Sequence, residues 1–401
     1  MTAVPLGWER RTLGEVLAVK HGLAFRGEFF GDDGAYVVVT PGNFHESGGF
    51  RPKSGPEKYY TIDPPAEFIL AQGDLIVAMT EQAEGLLGSS ALVPVGDYYL
   101  HNQRIGLVLL EAPELADKLF LYYLFNTRDV RAQLQATATG SKVRHTAPSR
   151  IEDVEVLLPP LQTQQLIGSV LSAYDELIEN NTRRIQILEE LAQAIYREWF
   201  VQFRFPGHDR VPLVDTDFGS LPMGWLAARL RDVAELAYGK ALKATDRRGG
   251  SVAVYGSGGV VGWHDEALAV GPGVVIGRKG NVGSVYWSDG PFFPIDTTYY
   301  VKTRFPLTFM YFALRDLKFI DSHAAVPGLS RDQAYGLPLI VPSAEVCSRF
   351  DEIISPIFEL RRTLLGATKN LQATRDLLLP RLMSGEIDVS ELDVQLGDTA
   401  A

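Results

Sequence analysis

The chain starts over partway along its length. Near the N-terminus it reads Pro5-Leu6-Gly7-Trp8, then Leu13-Gly14-Glu15-Val16, then Gly22; later it reads Pro222-Met223-Gly224-Trp225, then Leu230-Arg231-Asp232-Val233, then Gly239. Trp8 and Trp225 are 217 residues apart, and so are Gly22 and Gly239. Matched openings at one fixed offset predict two copies of one domain rather than a single large core, and 401 residues suffice for two or three domains. Each copy runs into an irregular stretch rich in Gly and aromatics, and each ends in a heptad-patterned segment.

The heptads are the clearest periodic signal. Ile167, Tyr174, Asn181, Leu188 and Ile195 are spaced by seven, as are Leu171, Ile178, Ile185, Ala192 and Trp199, and the two series interleave at four and three. That is the seam of a coiled coil, with polar Asn181 placed to fix register and partner number. A second seam follows Pro342: Phe350, Ile357, Leu364, Leu371 and Leu378, completed by Ile353, Leu360, Ala367 and Thr374. Ser343 is a candidate N-cap there, and Pro356 predicts a kink or a late start near Ser355. Two helices of about 36 residues, each about 54 Å long, are expected to pair antiparallel. Tyr196, Trp199 and Phe200, next to Val201 and Phe203, present more apolar surface than one helix pair covers, which predicts an added subunit there.

The expected fold is α+β. A strand- and turn-rich domain over 1–160 is followed by a first helix over 161–205. A second such domain spans 206–342, a second helix 343–385, and an acidic tail 386–401. Within the first domain Val37–Val39 and Leu75–Val77 read as strands and Leu115–Asn126 as a short helix; Ile151–Leu158 is an apolar run that Pro159-Pro160 stops.

No apolar run approaches the roughly 20 residues of a membrane span. The start, Met1-Thr2-Ala3-Val4, lacks the pattern of a signal peptide, and Cys347 stands alone, which excludes a disulfide framework. A cytoplasmic protein is expected. The net charge of −11 opposes nucleic-acid binding by whole-protein electrostatics, but the acid is unevenly placed. The tail after Gly385 carries five acids and no base, whereas 206–342 is close to balanced.

Motifs of catalysis are missing. Gly256-Ser257-Gly258-Gly259-Val260-Val261-Gly262 lacks the Lys-Ser/Thr ending of a phosphate loop and reads as turns between strands. Asp63-Pro64-Pro65-Ala66 has Ala where an amino-methyltransferase carries the aromatic that stacks on a flipped base, so it too reads as a turn. The seven histidines show no metal-ligand spacing, and no nucleophile elbow occurs. No catalytic residue and no metal ligand is assigned. The polar contact candidates are Lys20 and Arg26, Asn102-Gln103-Arg104, and Lys142 with Arg144 in the first domain. In the second they are Lys240, Lys243, Arg247-Arg248, Arg278-Lys279 and Arg331. Arg26 and Lys243 are again 217 apart. Such side chains reach phosphates, guanine edges or adenine. A scaffold that reads protein, or a single-chain modification enzyme with a Gly-rich nucleotide site, is the alternative at this point.

The chain resembles the specificity subunit of type I restriction–modification systems. The resemblance rests on Gly7-Trp8 with Leu13-Gly14-Glu15-Val16, on Leu158-Pro159-Pro160-Leu161 followed by Gln164-Gln165, and on the helix end Tyr196-Arg197-Glu198-Trp199-Phe200-Val201. Gly277-Arg278-Lys279-Gly280 and the stretch Leu378-Leu379-Pro380-Arg381-Leu382-Met383-Ser384-Gly385-Glu386-Ile387 add to it. The resemblance implies two target-recognition domains, each reading half of a bipartite site in double-stranded DNA. It implies helices that set the spacer and dock the methyltransferase subunits, expected to number two. S-adenosylmethionine would sit on those partners, and ATP on a separate restriction–translocase subunit; no cofactor is expected on this chain.

Overall fold

The computed structural model describes residues 4–52, 59–81, 85–140, 143–319 and 328–389. Lys142 lies outside them, as does the tail beyond residue 389. The chain forms two compact units, Met1–Glu179 with Lys369–Ala401, and Asn180–Thr368. Each unit therefore holds one strand-rich domain and part of both long helices.

The repeat is structural. In the first unit Trp8 N–H donates to the Pro5 carbonyl at 3.1 Å, and in the second Trp225 N–H donates to the Pro222 carbonyl at 3.0 Å. The third residue of each turn is a glycine at positive φ, Gly7 at +80° and Gly224 at +87°, a conformation that side-chain-bearing residues avoid. Pro-x-Gly-Trp thus recurs because one turn recurs. After it, strand Glu9–Thr12 pairs antiparallel with Glu155–Leu158, and Leu226–Arg229 pairs with Pro338–Val341. These pairings bring the start of each domain back to the strand that feeds a long helix.

Each unit has a four-stranded central sheet of the same order. In the first, β1 (Leu17–His21), β2 (Leu75–Ala78), β3 (Ser90–Leu92) and β4 (Ile105–Leu110) lie as β1-β4-β2-β3. In the second, β5 (Ala234–Tyr238), β6 (Gly273–Gly277), β7 (Val285–Ser288) and β8 (Thr298–Thr303) lie as β5-β8-β6-β7. Strand β6 is buried along its whole length, as its unbroken apolar run requires of an inner strand. The Gly256–Gly262 stretch is, as expected, a hairpin turn between strands Val252–Gly256 and Gly259–His264. Asp63–Ala66 leads into a short turn at Ala66–Phe68. Lys118–Phe125 is the short helix expected within Leu115–Asn126, Arg128–Thr137 adds a second helix after it, and the run from Ile151 divides into the helix Pro148–Glu152 and the strand Glu155–Leu158.

The two long helices are α1 (Leu161–Tyr196), prolonged by a wider π turn to Val201, and α2 (Ala344–Met383). Helix α2 starts at Ala344 and runs through Pro356, so of the kink or late start expected near Ser355 the late start is ruled out. Along α1, Ile178, Asn181, Ile185 and Leu188 are half-buried between exposed neighbours. On α2, Ile357, Leu364, Leu371 and Leu378 are half-buried as predicted, but the companion stripe is displaced by one residue. Ile354, Arg361, Thr368 and Arg375 are covered, and of the predicted companions Ala367 is too, whereas Ile353, Leu360 and Thr374 are exposed. The two arginines are held by acids: Arg375 pairs with Asp175 in the first unit, and Arg361 with Glu189 at 2.9 Å and Asp289 at 3.2 Å in the second.

The aromatic end of α1 is already covered. Trp199 is 7% exposed and Phe200 6%, and with Tyr196 they pack against Trp225, Phe309, Phe312 and Phe350 in the core of the second unit. The surface assigned to an added subunit is therefore buried by this chain's own second domain. The reason is the sheer number of aromatics that one domain contributes to this core. The far end of α2 does the equivalent in the first unit, where Leu382, Met383 and Val389 join the core of Leu13, Val16, Ile167 and Leu171. Gly385, at φ +71°, ends α2 there; a Cβ on it would lie 2.6 Å from the Pro5 ring.

Candidate nucleic-acid interface

Both domains build the same backbone junction at the end of the sheet where β2 and β6 finish. In the first, Met79 N–H donates to the Arg104 carbonyl at 2.9 Å, and the Met79 carbonyl accepts from Thr146 N–H at 2.9 Å. In the second, Arg278 N–H donates to the Thr297 carbonyl at 2.8 Å, and the Arg278 carbonyl accepts from Leu329 N–H at 2.7 Å. Three segments meet in each case: the end of the inner strand, the turn into its neighbour, and the segment before the last strand of the domain.

The chemistry at the two junctions differs. In the first domain the turn Asn102-Gln103-Arg104 is exposed at its tip, and Asn102 Oδ1 accepts from Arg104 N–H at 2.9 Å. The Arg144-His145 strand pairs with Thr80-Glu81. Arg144 donates to the Gln135 carbonyl at 2.7 Å and lies 3.9 Å from Glu81, so its charge is partly met within the chain. Glu81, 2% exposed, accepts from the N–H groups of Gly85 and Leu87. Arg131 braces that same loop from beneath by donating to the Gly85, Leu87 and Glu46 carbonyls, and burial pushes its guanidinium down to about 10. Lys20 on β1 donates to the Glu67 carbonyl at 3.1 Å and lies over Phe68.

In the second domain the cation is carried by the outgoing strand. Arg278 lies 5.1 Å from the centre of the Tyr238 ring and Arg331 lies 4.9 Å from it, and Arg278 is 5.7 Å from Tyr299. Lys279 bridges to Gly328 beside them, and exposed Lys240 donates its N–H to the Pro294 carbonyl. Burial pushes the Tyr299 hydroxyl up to about 12, and it donates to the Leu329 carbonyl at 3.0 Å, so that ring stays neutral. The predicted Arg278, Lys279 and Arg331 are thus brought together, while Lys240 follows Tyr238 by two residues. Tyr238, which links two of them, has no motif around it in the sequence; only its place at the end of β5 gives it away.

Other candidates lie elsewhere. Arg26 and Lys243, 217 residues apart, both precede a short 3₁₀ turn, Gly27–Phe29 and Ala244–Asp246. Both are exposed, and Arg26 pairs with Glu28 at 3.7 Å. Arg247 donates to the Val261 carbonyl at 2.6 Å and holds its own hairpin. Arg248 is gripped by Asp265 and Glu266, both at 2.8 Å, which neutralises it locally. A cavity of about 310 Å³ opens at the other end of β6, against Pro272, Trp287 and Phe358. Its Asp351 already accepts from Thr308 and Ser355 hydroxyls, and its Asp289 from Trp287.

Two copies of one α+β domain, each carrying a junction of this kind and each drawing on two long helices, define a duplicated protein. Residues 5–190 match the model of the family described as the type I restriction modification DNA specificity domain. The likeness extends further along the chain. It is 23% identical over 306 residues to the type I restriction enzyme MjaIX specificity subunit of Methanocaldococcus jannaschii, covering 68% of this chain and 70% of that one. Over 90 residues, 22% of this chain and 19% of the relative, it is 32% identical to the HindI specificity subunit of Haemophilus influenzae. The fold matches the crystal structure of the type I restriction–modification S subunit from M. genitalium with a TM-score of 0.64 at 18% identity, over 96% of this chain and 98% of that one. The resemblance drawn from the sequence is thereby shown. Among the described residues no helix is long and apolar enough to cross a membrane.

Proposed function

We propose that this chain is the non-catalytic DNA-recognition subunit of a type I restriction–modification complex, each domain reading one half of a bipartite target in double-stranded DNA. The observation that carries this reading is the repeated junction. Two domains of the same sheet order each hold cationic side chains where β2 and β6 end, on a chain whose net charge is negative. Cations kept local on an acidic protein fit a reader that leaves most phosphate contact to its partners.

The helices act as the spacer between half-sites and pair as an antiparallel coiled coil. Supporting this, Asp175 and Glu189 are fourteen residues apart on α1, while their partners Arg375 and Arg361 are fourteen apart on α2 in the opposite sense. Fourteen residues are two heptads, so one seam repeat accounts for both ion pairs. The outward faces still carry exposed apolar side chains, Leu177, Ile187 and Leu191 on α1 and Leu360, Leu365 and Leu377 on α2. Two methyltransferase subunits dock on these, in place of the aromatic end of α1. Those subunits hold S-adenosylmethionine and flip the target adenine, and restriction–translocase subunits use ATP.

The test is co-expression with the methyltransferase subunit, followed by genome-wide mapping of methyladenine. A split motif with two short half-sites around a fixed gap is the expected result. Methylation that is absent, or unchanged when this chain is deleted, overturns it in favour of a protein-reading scaffold. The isolated chain is further expected to bind neither S-adenosylmethionine nor ATP in calorimetric titration; saturable binding of either turns the reading toward an enzyme.

A further inference from the structure

Among the described residues, Tyr238 is the one ring that carries two arginines, Arg278 and Arg331. Arg248, Arg361 and Arg375 each face carboxylates, which fix the side chain and cancel its charge together. Arg278 and Arg331 are instead gathered on one tyrosine ring, itself 47% exposed, and have no carboxylate partner among the described residues. An aromatic face holds a guanidinium without neutralising it. Two like charges around one ring repel each other, and an anion placed between them relieves that repulsion. The anion class follows from the donors left open. Arg278 Nη1 is engaged by the Asp296 carbonyl at 3.1 Å, which leaves its fork less free for the two-point approach that reads guanine. A phosphate oxygen accepts from a single remaining N–H.

We propose that Arg278 and Arg331 form a clamp for one stretch of DNA backbone phosphate, and that Tyr238 is the positioning residue that holds both arginines ready. This rests on the chain being a DNA reader and adds to it an asymmetry between the halves. By the 217-residue offset the first domain has His21 where the second has Tyr238, and by the junction hydrogen bonds it has Met79 where the second has Arg278. The first domain therefore lacks the clamp, and the second anchors the complex on the backbone irrespective of sequence.

The full chain, co-purified with its methyltransferase, is titrated with a short duplex of arbitrary sequence over a series of salt concentrations. Each phosphate contact contributes about −0.9 to the slope of log affinity against log salt. Arg278→Ala and Arg331→Ala are each expected to make that slope shallower by about one and to weaken target and arbitrary duplexes by the same factor. Tyr238→Leu keeps both charges, so the slope stays while affinity falls about tenfold; Tyr238→Phe, which keeps the ring, binds as the wild type does. Arg248→Ala leaves the slope unchanged. If Tyr238→Leu does not fold, the two arginine variants decide alone. Arginine variants that retain the full slope, or that change the methylated motif at one base position while arbitrary duplexes still bind normally, overturn the clamp and leave the DNA reader standing. A wild-type complex that binds no duplex at all overturns both.

Discussion

A methyl group on Gly22 would sit 2.2 Å from the Asn102 carbonyl oxygen, and one on Gly239 would sit 2.1 Å from that of Ile295. Both glycines let the end of the first central strand pass against the turn that enters its neighbour, and that turn is the one that builds the junction. Because backbone rather than a flexible side chain is met, Gly22→Ala and Gly239→Ala are each expected to destabilise their own unit by about 1–3 kcal/mol. Scanning calorimetry should show one transition lowered and the other unmoved. His101 follows Leu100 into the same turn, fully buried, with its Nε2 against the Ile105 carbonyl at 2.8 Å. Burial pushes its imidazole down from 6.5 to about 4, with the Ile105 carbonyl opposing and the nearby Lys20 and His21 adding to the shift. Above pH 6.5 neither folded nor unfolded chain holds a proton there. As pH falls from 6.5 toward 4, the unfolded chain takes up a proton that the folded one refuses, so stability declines through that window, by on the order of 3 kcal/mol at most. His101→Gln is expected to flatten the pH dependence of the first unit's melting temperature between those values; an unaltered dependence removes His101 as its source.

Among the elements, the long helices were legible because heptad spacing survives any packing detail, and the repeat was legible because glycine and tryptophan mark one turn twice. The companion stripe of α2 was not. It runs through Arg361 and Arg375, and charged residues carry no apolar period, so their burial against Glu189, Asp289 and Asp175 leaves no trace in the spacing. The junction was half legible. Arg104, Arg278 and Arg331 stand in basic clusters, but that Arg104 and Arg278 each belong to the same kind of junction, on different segments of it, depends on hydrogen bonds between segments far apart in sequence. Arg247 and Arg248 looked equally suitable and are held by Val261 and by two acids. The Asp175–Arg375 pair is partly buried, and a double-mutant cycle with Asp175→Ala and Arg375→Ala is expected to return a coupling of about 1 kcal/mol in urea denaturation. A coupling indistinguishable from zero removes this pair from what holds the helices.

For the whole molecule, the duplication predicts halves that are separable in specificity. Exchanging residues 206–342 for the matching segment of a relative is expected to change one half of the methylated motif and leave the other half and the gap as they were. Methyladenine mapping reads both at once, and a change in both halves contradicts the one-domain, one-half-site reading. The units are not separable in synthesis, however. Residues of the first unit's core are made on both sides of the second unit: Leu13 and Val16 leave the ribosome before it, Leu382, Met383 and Val389 after it, and Gly385 closes against Pro5 and Trp8. Of the two units, the one begun first is thus completed last. A nonsense mutation between the codons of residues 369 and 382 would strike the unit begun first, leaving the one encoded between its two parts intact.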